Sequence, residues 1–167
     1  TTKWHVARVD ENLKYSPYPE AGDAVSAIND AVELLKDYKN LPDSTVAVNI
    51  KYLLHLVGDM HCPAHVYYLG RNQDYKVKFG GGYIKPVKEM KIHTVWDEAA
   101  IQSSRIWSVS EWAEELDRKS AREIRSMVAG TPQDWLEDNA RRCLVQFDMS
   151  APGENVAQDF VNEALPL

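Results

Sequence analysis

Five side chains in two short segments have the types and spacing to hold metal ions together. The first segment runs His55-Leu56-Val57-Gly58-Asp59-Met60-His61-Cys62-Pro63-Ala64-His65, and the second Ile92-His93-Thr94-Val95-Trp96-Asp97. His55 and Asp59 are four apart, so on a helix both lie on one face, one turn apart. His93 and Asp97 repeat that spacing. His65 cannot share the face of His55 on a continuous helix. Pro63 ends the helix, because proline lacks an amide donor and disfavours helical geometry before it, so the chain can turn and bring His65 back. His61 lies about 240° round the helix from His55 and points away, which makes it a non-ligand.

A single His-x-x-x-Asp on a helix is more often an exposed pair than a metal site. Two such pairs and a histidine after a helix-ending proline shift the balance to metal. Imidazole and carboxylate without thiolate suit catalytic zinc, and both ligate in their ordinary protonation states at neutral pH. Zinc ions a few ångströms apart can polarise a phosphoryl oxygen, generate hydroxide at neutral pH and stabilise a leaving oxygen. Gly58 inside the helix costs about 1 kcal/mol relative to alanine, so close packing or metal access is expected there.

These residues need helices to position them. In residues 20–38, Ala24, Ile28, Val32 and Leu35 recur at helical spacing. A turn follows with Pro42, and Ser44 is expected to cap a helix running to about Cys62. Its metal face should be buried, with Val48, Tyr52 and Leu56 packing on neighbours. Residues 66–91 change character: Tyr75-Lys76-Val77-Lys78-Phe79 alternates and three glycines follow, which predicts a short hairpin or extended loop. Helix is expected again over 92–101, 109–119, 121–129, 132–147 and 155–164. Thr131-Pro132 is a strong start, with a capping hydroxyl and then proline at the first helical position. Trp107, Trp112 and Trp135 fall on these amphipathic helices and read as core rather than substrate contacts. The fold class is all-α with a hairpin or loop excursion around 66–91.

Composition bounds the chemistry. The 167 residues suit one domain, 1–167. No apolar stretch approaches the roughly 20 residues of a membrane span. A net charge of −6 argues against broad electrostatic capture of duplex nucleic acid, but not against a local grip on phosphate through metal ions. Cys62 and Cys143 could form one disulfide or remain two thiols.

The segments HLVGDMHCPAHV, GRN and IHTVWD resemble the zinc-dependent single-strand-specific nucleases of the mung bean nuclease type, which are similar in fold to the zinc-dependent phospholipases C. Trp4-His5-Val6, followed by Asp10-Glu11-Asn12, resembles the family's upstream segment. The resemblance spans Trp4 to Leu165 and implies a multi-helix phospholipase C/nuclease-like bundle. It implies His5, His55 and Asp59 as ligands of a buried zinc, with Asp59 bridging towards a third ion. It implies His65, His93 and Asp97 as ligands of a more exposed zinc. Asn72 matches the family's substrate-binding asparagine, so Asp59 and Asn72 are the expected catalytic groups. Leu69, Arg71 and Asn72 form the expected substrate loop, with Arg71 either solvated or a phosphate contact.

The family's first tryptophan, whose amino group and carbonyl bind the third zinc, has no counterpart here, nor has the family's further aspartate on the buried zinc. The chain is therefore expected to be the interior portion of a longer zinc nuclease domain. Val6 and Arg8 replace the aromatic and the acid that hold the base in fungal members; Tyr67, Tyr68 and Leu69 could offer another stacking platform. The activity implied is zinc-dependent hydrolysis of single-stranded DNA or RNA, with a 3′-nucleotidase activity alongside it, in a secreted or periplasmic protein. Two alternatives stay open: a phospholipase C, disfavoured because that branch commonly has Glu where Asp97 stands, and a metal-binding protein without catalysis.

Overall fold

A computed structural model describes residues 2–18, 20, 22–81, 84–104, 107–148 and 150–156. A 3₁₀ turn over Thr2–His5 leads into strand β1 (Ala7–Val9). Helix α1 (Ala24–Leu35) starts at the first residue of its apolar period rather than at residue 20, because Asp23 caps it. The Asp23 carboxylate accepts from the Ser26 amide while the Ser26 hydroxyl accepts from the Asp23 amide, a reciprocal cap that satisfies two orphan donors. Helix α2 (Asp43–Met60) begins with Pro42 as its cap residue, so Ser44 lies inside the helix and is not the cap. It stops two residues short of the expected end, with His61 as its last cap.

A 3₁₀ turn over Pro63–His65 then enters strand β2 (Val66–Tyr68). Strands β3 (Lys76–Gly81) and β4 (Ile84–Lys91) form the expected antiparallel hairpin, Lys76 opposite Lys91. Helix α3 (Ile92–Thr94) runs through a π turn over Val95–Ala99 into α4 (Ala100–Ser104). Helices α5 (Val109–Leu116), α6 (Ala121–Met127) and α7 (Pro132–Asp148) follow. Thr131 and Asp134 cap α7 reciprocally, with Pro132 at the first helical position as expected. Trp107 lies just before α5 and packs edge-on against Trp112, both half-buried rather than core.

The chain is mostly helical, consistent with the expected all-α class, and carries short strands beyond the expected hairpin. β1 pairs with β2 in parallel, and a last strand, β5 (Asn155–Val156), pairs in parallel with β3. The expected helix over 155–164 therefore does not start at Asn155: Val156 is buried against Phe79 and Val77, and burial in that sheet outweighs local helix preference. The rest of that stretch lies outside the described residues.

Among the described residues, two apolar clusters make the core. One joins α1, α2, α7, β1 and β2 through Ile28, Leu56, Met60, Val66, Leu136 and Phe147. The other joins the hairpin to α3 and α4 through Val77, Phe79, Ile92, Val95, Trp96 and Ala100. The Pro63–His65 turn is the hinge between them, with Ala64 in the second cluster and Val66 in the first. Among the described residues, only one side of α2 is covered. Leu56 and Met60 are buried, whereas Val48, Ile50 and Leu54 are exposed, so Val48 does not pack as expected. Apolar residues occupy more than one face of α2, and α1 and α7 reach only one of them.

Candidate metal centre

α2 delivers His55 and Asp59 on one face, as their spacing predicts. His5 reaches them through tertiary pairing. The parallel register places Ala7 opposite Val66, so the residue two before β1 comes beside the residue just before β2. His5 Nδ1 lies 2.8 Å from Asp59 Oδ2 and 3.0 Å from His55 Nε2, and His55 Nε2 lies 3.3 Å from Asp59 Oδ2. Ligand atoms on one tetrahedral zinc, with bonds of about 2.0–2.3 Å, stand roughly 3.3–3.5 Å apart. Three lone-pair-bearing atoms at this mutual spacing are a candidate cation site, and the residues fit a zinc ion.

The second group forms around Asp97. His65 Nε2 lies 3.0 Å from Asp97 Oδ1, and His93 Nε2 lies 3.1 Å from Asp97 Oδ2. The rings of His65 and His93 are 4.9 Å apart. Asp97 sits in the π turn, a local widening of the helix that often marks functional sites. The two groups meet at Asp59. Its Oδ2 faces His5 and His55, and its Oδ1 lies 3.9 Å from His65 Nε2.

The surrounding structure fixes these side chains. His65 is buried, and its Nδ1–H donates to the His5 carbonyl. That bond leaves the Nε2 lone pair facing Asp97 and Asp59. The turn after α2 is anchored by Asn139, whose amide donates to the Met60 carbonyl at 2.8 Å and whose carbonyl accepts from the Cys143 thiol. Burial opposes the charge on Asp97, but His65, the Cys62 thiol and His93 together hold its carboxyl below the usual carboxylate range. Asp97 is therefore ionised at neutral pH.

Three expectations are corrected. The metal face is not fully buried: the His55 side chain is 57% exposed while Asp59 is 14% exposed, because His55 borders the uncovered side of α2. Gly58 does not serve close packing, since a Cβ there would meet nothing within 4 Å. Arg71 is not a solvated loop residue. It pairs with Asp148 at 3.2 Å and stacks on Phe147, so its partners lie at the end of α7.

In the rest of the loop, Leu69 is exposed, and the Asn72 side-chain oxygen accepts from the Asp74 amide in a local turn. His61 donates to the Val57 carbonyl, outside both groups as expected. Arg8 is held by the Ser16 and Pro17 carbonyls over the Tyr18 ring, and Tyr68 is core, with its hydroxyl on the Ala140 carbonyl. Tyr67 alone of the expected platform is half-buried beside His93 and Trp96.

One residue escaped the sequence reading. Cys62 Sγ lies 3.3 Å from Asp97 Oδ1 and clusters with His65 and Asp97. It stands next to the helix-ending proline, and no periodicity marks it.

A mostly helical chain with two His/Asp groups joined through one carboxylate defines a candidate multinuclear metal protein. The chain belongs to the S1/P1 nuclease family, whose model matches residues 1–167. Its family class is that of a hydrolase acting on the phosphodiester bonds of nucleic acids. No individual curated protein matches it. Among the described residues, no helix is long and apolar enough to cross a membrane.

Proposed function

We propose that this protein is a zinc-dependent endonuclease that cleaves single-stranded DNA or RNA and also acts on 3′-nucleotides. The observation that carries this reading is the convergence of His5, His55 and Asp59 on one point, with Asp59 reaching on towards the group of His65, His93 and Asp97. The first three would hold one ion and the second three another. When bound, zinc supplies Lewis-acid activation of water and of the phosphoryl group.

The chain's own residues do the rest. His65 is oriented by the His5 carbonyl, so it presents Nε2 without a search for rotamer or tautomer. Asp97 stays ionised and ready to ligate. The exposed side of His55 leaves the first site open to an incoming phosphate. Asn72 is exposed at the loop after β2, and its amide is a donor for a phosphate oxygen.

Preference for single strands follows from access. A phosphate must come close to the clustered ligands while its neighbouring nucleotides bend aside. A single strand does this readily, whereas a duplex must unstack at a cost of a few kcal/mol. The net charge of −6 offers little to offset that cost. The test is a panel of single-stranded DNA, RNA, duplex DNA, a 3′-nucleotide and phosphatidylcholine. Cleavage of the single strands above duplex, with lipid untouched, is expected. Lipid cleavage without nucleic-acid cleavage would transfer the protein to the phospholipase C reading.

A further inference from the structure

We infer that Cys62 is a metal ligand, and that it makes the outer site a mixed nitrogen, oxygen and sulfur site selective for zinc-like ions. The inference rests on the zinc reading above and adds to it a donor from outside the His/Asp pairs.

His65 spends its Nδ1–H on the His5 carbonyl, so Nε2 carries a lone pair. That lone pair points at Asp97 Oδ1 from 3.0 Å. Cys62 Sγ approaches the same Oδ1, at 3.3 Å, and the three ligand atoms of Cys62, His65 and Asp97 all lie within 4.8 Å of one another. A sulfur and an oxygen on one tetrahedral zinc stand roughly 3.5 Å apart, given bonds of about 2.3 and 2.0 Å. The observed spacing needs little adjustment.

The backbone delivers Cys62 to this place. Cys62 is extended, between the end of α2 and the Pro63–His65 turn, and the His65 amide donates to its carbonyl at 3.0 Å. Cys62 and His65 are thus the first and last residues of one tight turn, and both side chains face Asp97. When the ion binds, the S–H bond breaks, a sulfur lone pair goes to the metal, and the proton leaves to solvent.

Two consequences follow. A thiolate donor favours zinc and cadmium over magnesium and manganese, which prefer oxygen. Cys62, His65 and Asp97 would also offer one ion three protein donors, with His93 on the other oxygen of Asp97.

Metal affinity alone does not separate a ligand from a neighbour. Loss of a hydrogen bond from the thiol to Asp97 would itself weaken zinc about 10- to 100-fold. Absorption of the cobalt(II)-substituted protein does separate them, because a sulfur-to-cobalt charge-transfer band in the near ultraviolet requires a Co–S bond. Wild type is expected to show the band, and Cys62→Ser and Cys62→Ala to lose it while keeping visible d–d bands from the first site. Cys143 remains in both variants as the thiol control. In wild type, saturating zinc is also expected to block alkylation of Cys62 by iodoacetamide, and magnesium to leave it reactive. Cobalt bound without a charge-transfer band, or a band that survives Cys62→Ser, overturns the inference and leaves the zinc reading standing. Failure of wild type to bind cobalt at all overturns both.

Discussion

Asp59 divides its two oxygens between two histidine groups: Oδ2 lies 2.8 Å from His5 Nδ1, and Oδ1 lies 3.9 Å from His65 Nε2. A carboxylate in that position would couple two ions held by the two groups. Asp59→Asn keeps the shape but removes the charge, and it is expected to lower zinc content by more than one ion per chain. Elemental analysis of dialysed protein measures this. Zinc content equal to wild type would remove Asp59 from the site.

The helix that carries His55 and Asp59 is held by one buried face. Leu56 is 2% exposed and lies between His55 and Asp59 in sequence, whereas Leu54 is 75% exposed. Leu56→Ala is expected to cost about 2–5 kcal/mol, from lost burial and the cavity left behind. Leu54→Ala should change stability by no more than about 0.5 kcal/mol. Denaturant unfolding of the two variants gives the comparison, and equal costs would mean that the covered face of α2 has been misassigned.

The turn that redirects the chain from α2 to His65 depends on Asn139. Its amide satisfies the Met60 carbonyl, and its carbonyl takes the Cys143 thiol, all in buried surroundings. Asn139→Ala strands two buried groups and is expected to cost about 1–3 kcal/mol. It should also loosen zinc binding, because His65 follows directly from that turn. A melting temperature and a zinc titration both unchanged from wild type would contradict this role.

What the sequence revealed of the site is its local part. His55 with Asp59, and His93 with Asp97, are visible because a helix converts a four-residue spacing into adjacency. His5 joins them only through the parallel pairing of β1 with β2, a tertiary event with no local pattern, so its place was implied by family resemblance rather than by spacing. The hairpin was legible because Val77 and Phe79 alternate with lysines and glycines follow. The strand at Asn155 was not, since its two residues are defined by a partner far upstream. The π turn at Asp97 and the approach of Cys62 to it were equally invisible. Both depend on how α3 and the Pro63–His65 turn pack around the second cluster. The exposure of His55 was missed because the expected burial of the metal face depends on which neighbours reach α2, and His55 borders its uncovered side.

Alkaline conditions should destabilise the fold in part through Cys143. Burial pushes its thiol up to about 12, against about 8.5 in an unfolded chain. Its contribution is complete below about pH 8.5 and declines as pH rises towards 12. Over that range the unfolded chain releases the proton and the folded chain keeps it. Unfolding free energy is expected to fall between pH 8 and 10, by up to about 1.4 kcal/mol per pH unit from this thiol. A shallower slope is expected in Cys143→Ala. Identical slopes in the two proteins would show that the buried thiol does not contribute.

The central claim is that clustered histidine and aspartate ligands hold zinc for phosphodiester cleavage. The most direct measurement is cleavage of single-stranded DNA by metal-stripped protein, before and after zinc is restored, with Asp97→Asn carried through the same steps. The account predicts no cleavage when stripped, recovery with zinc, and little or no recovery in Asp97→Asn. Undiminished cleavage by the stripped protein would contradict it.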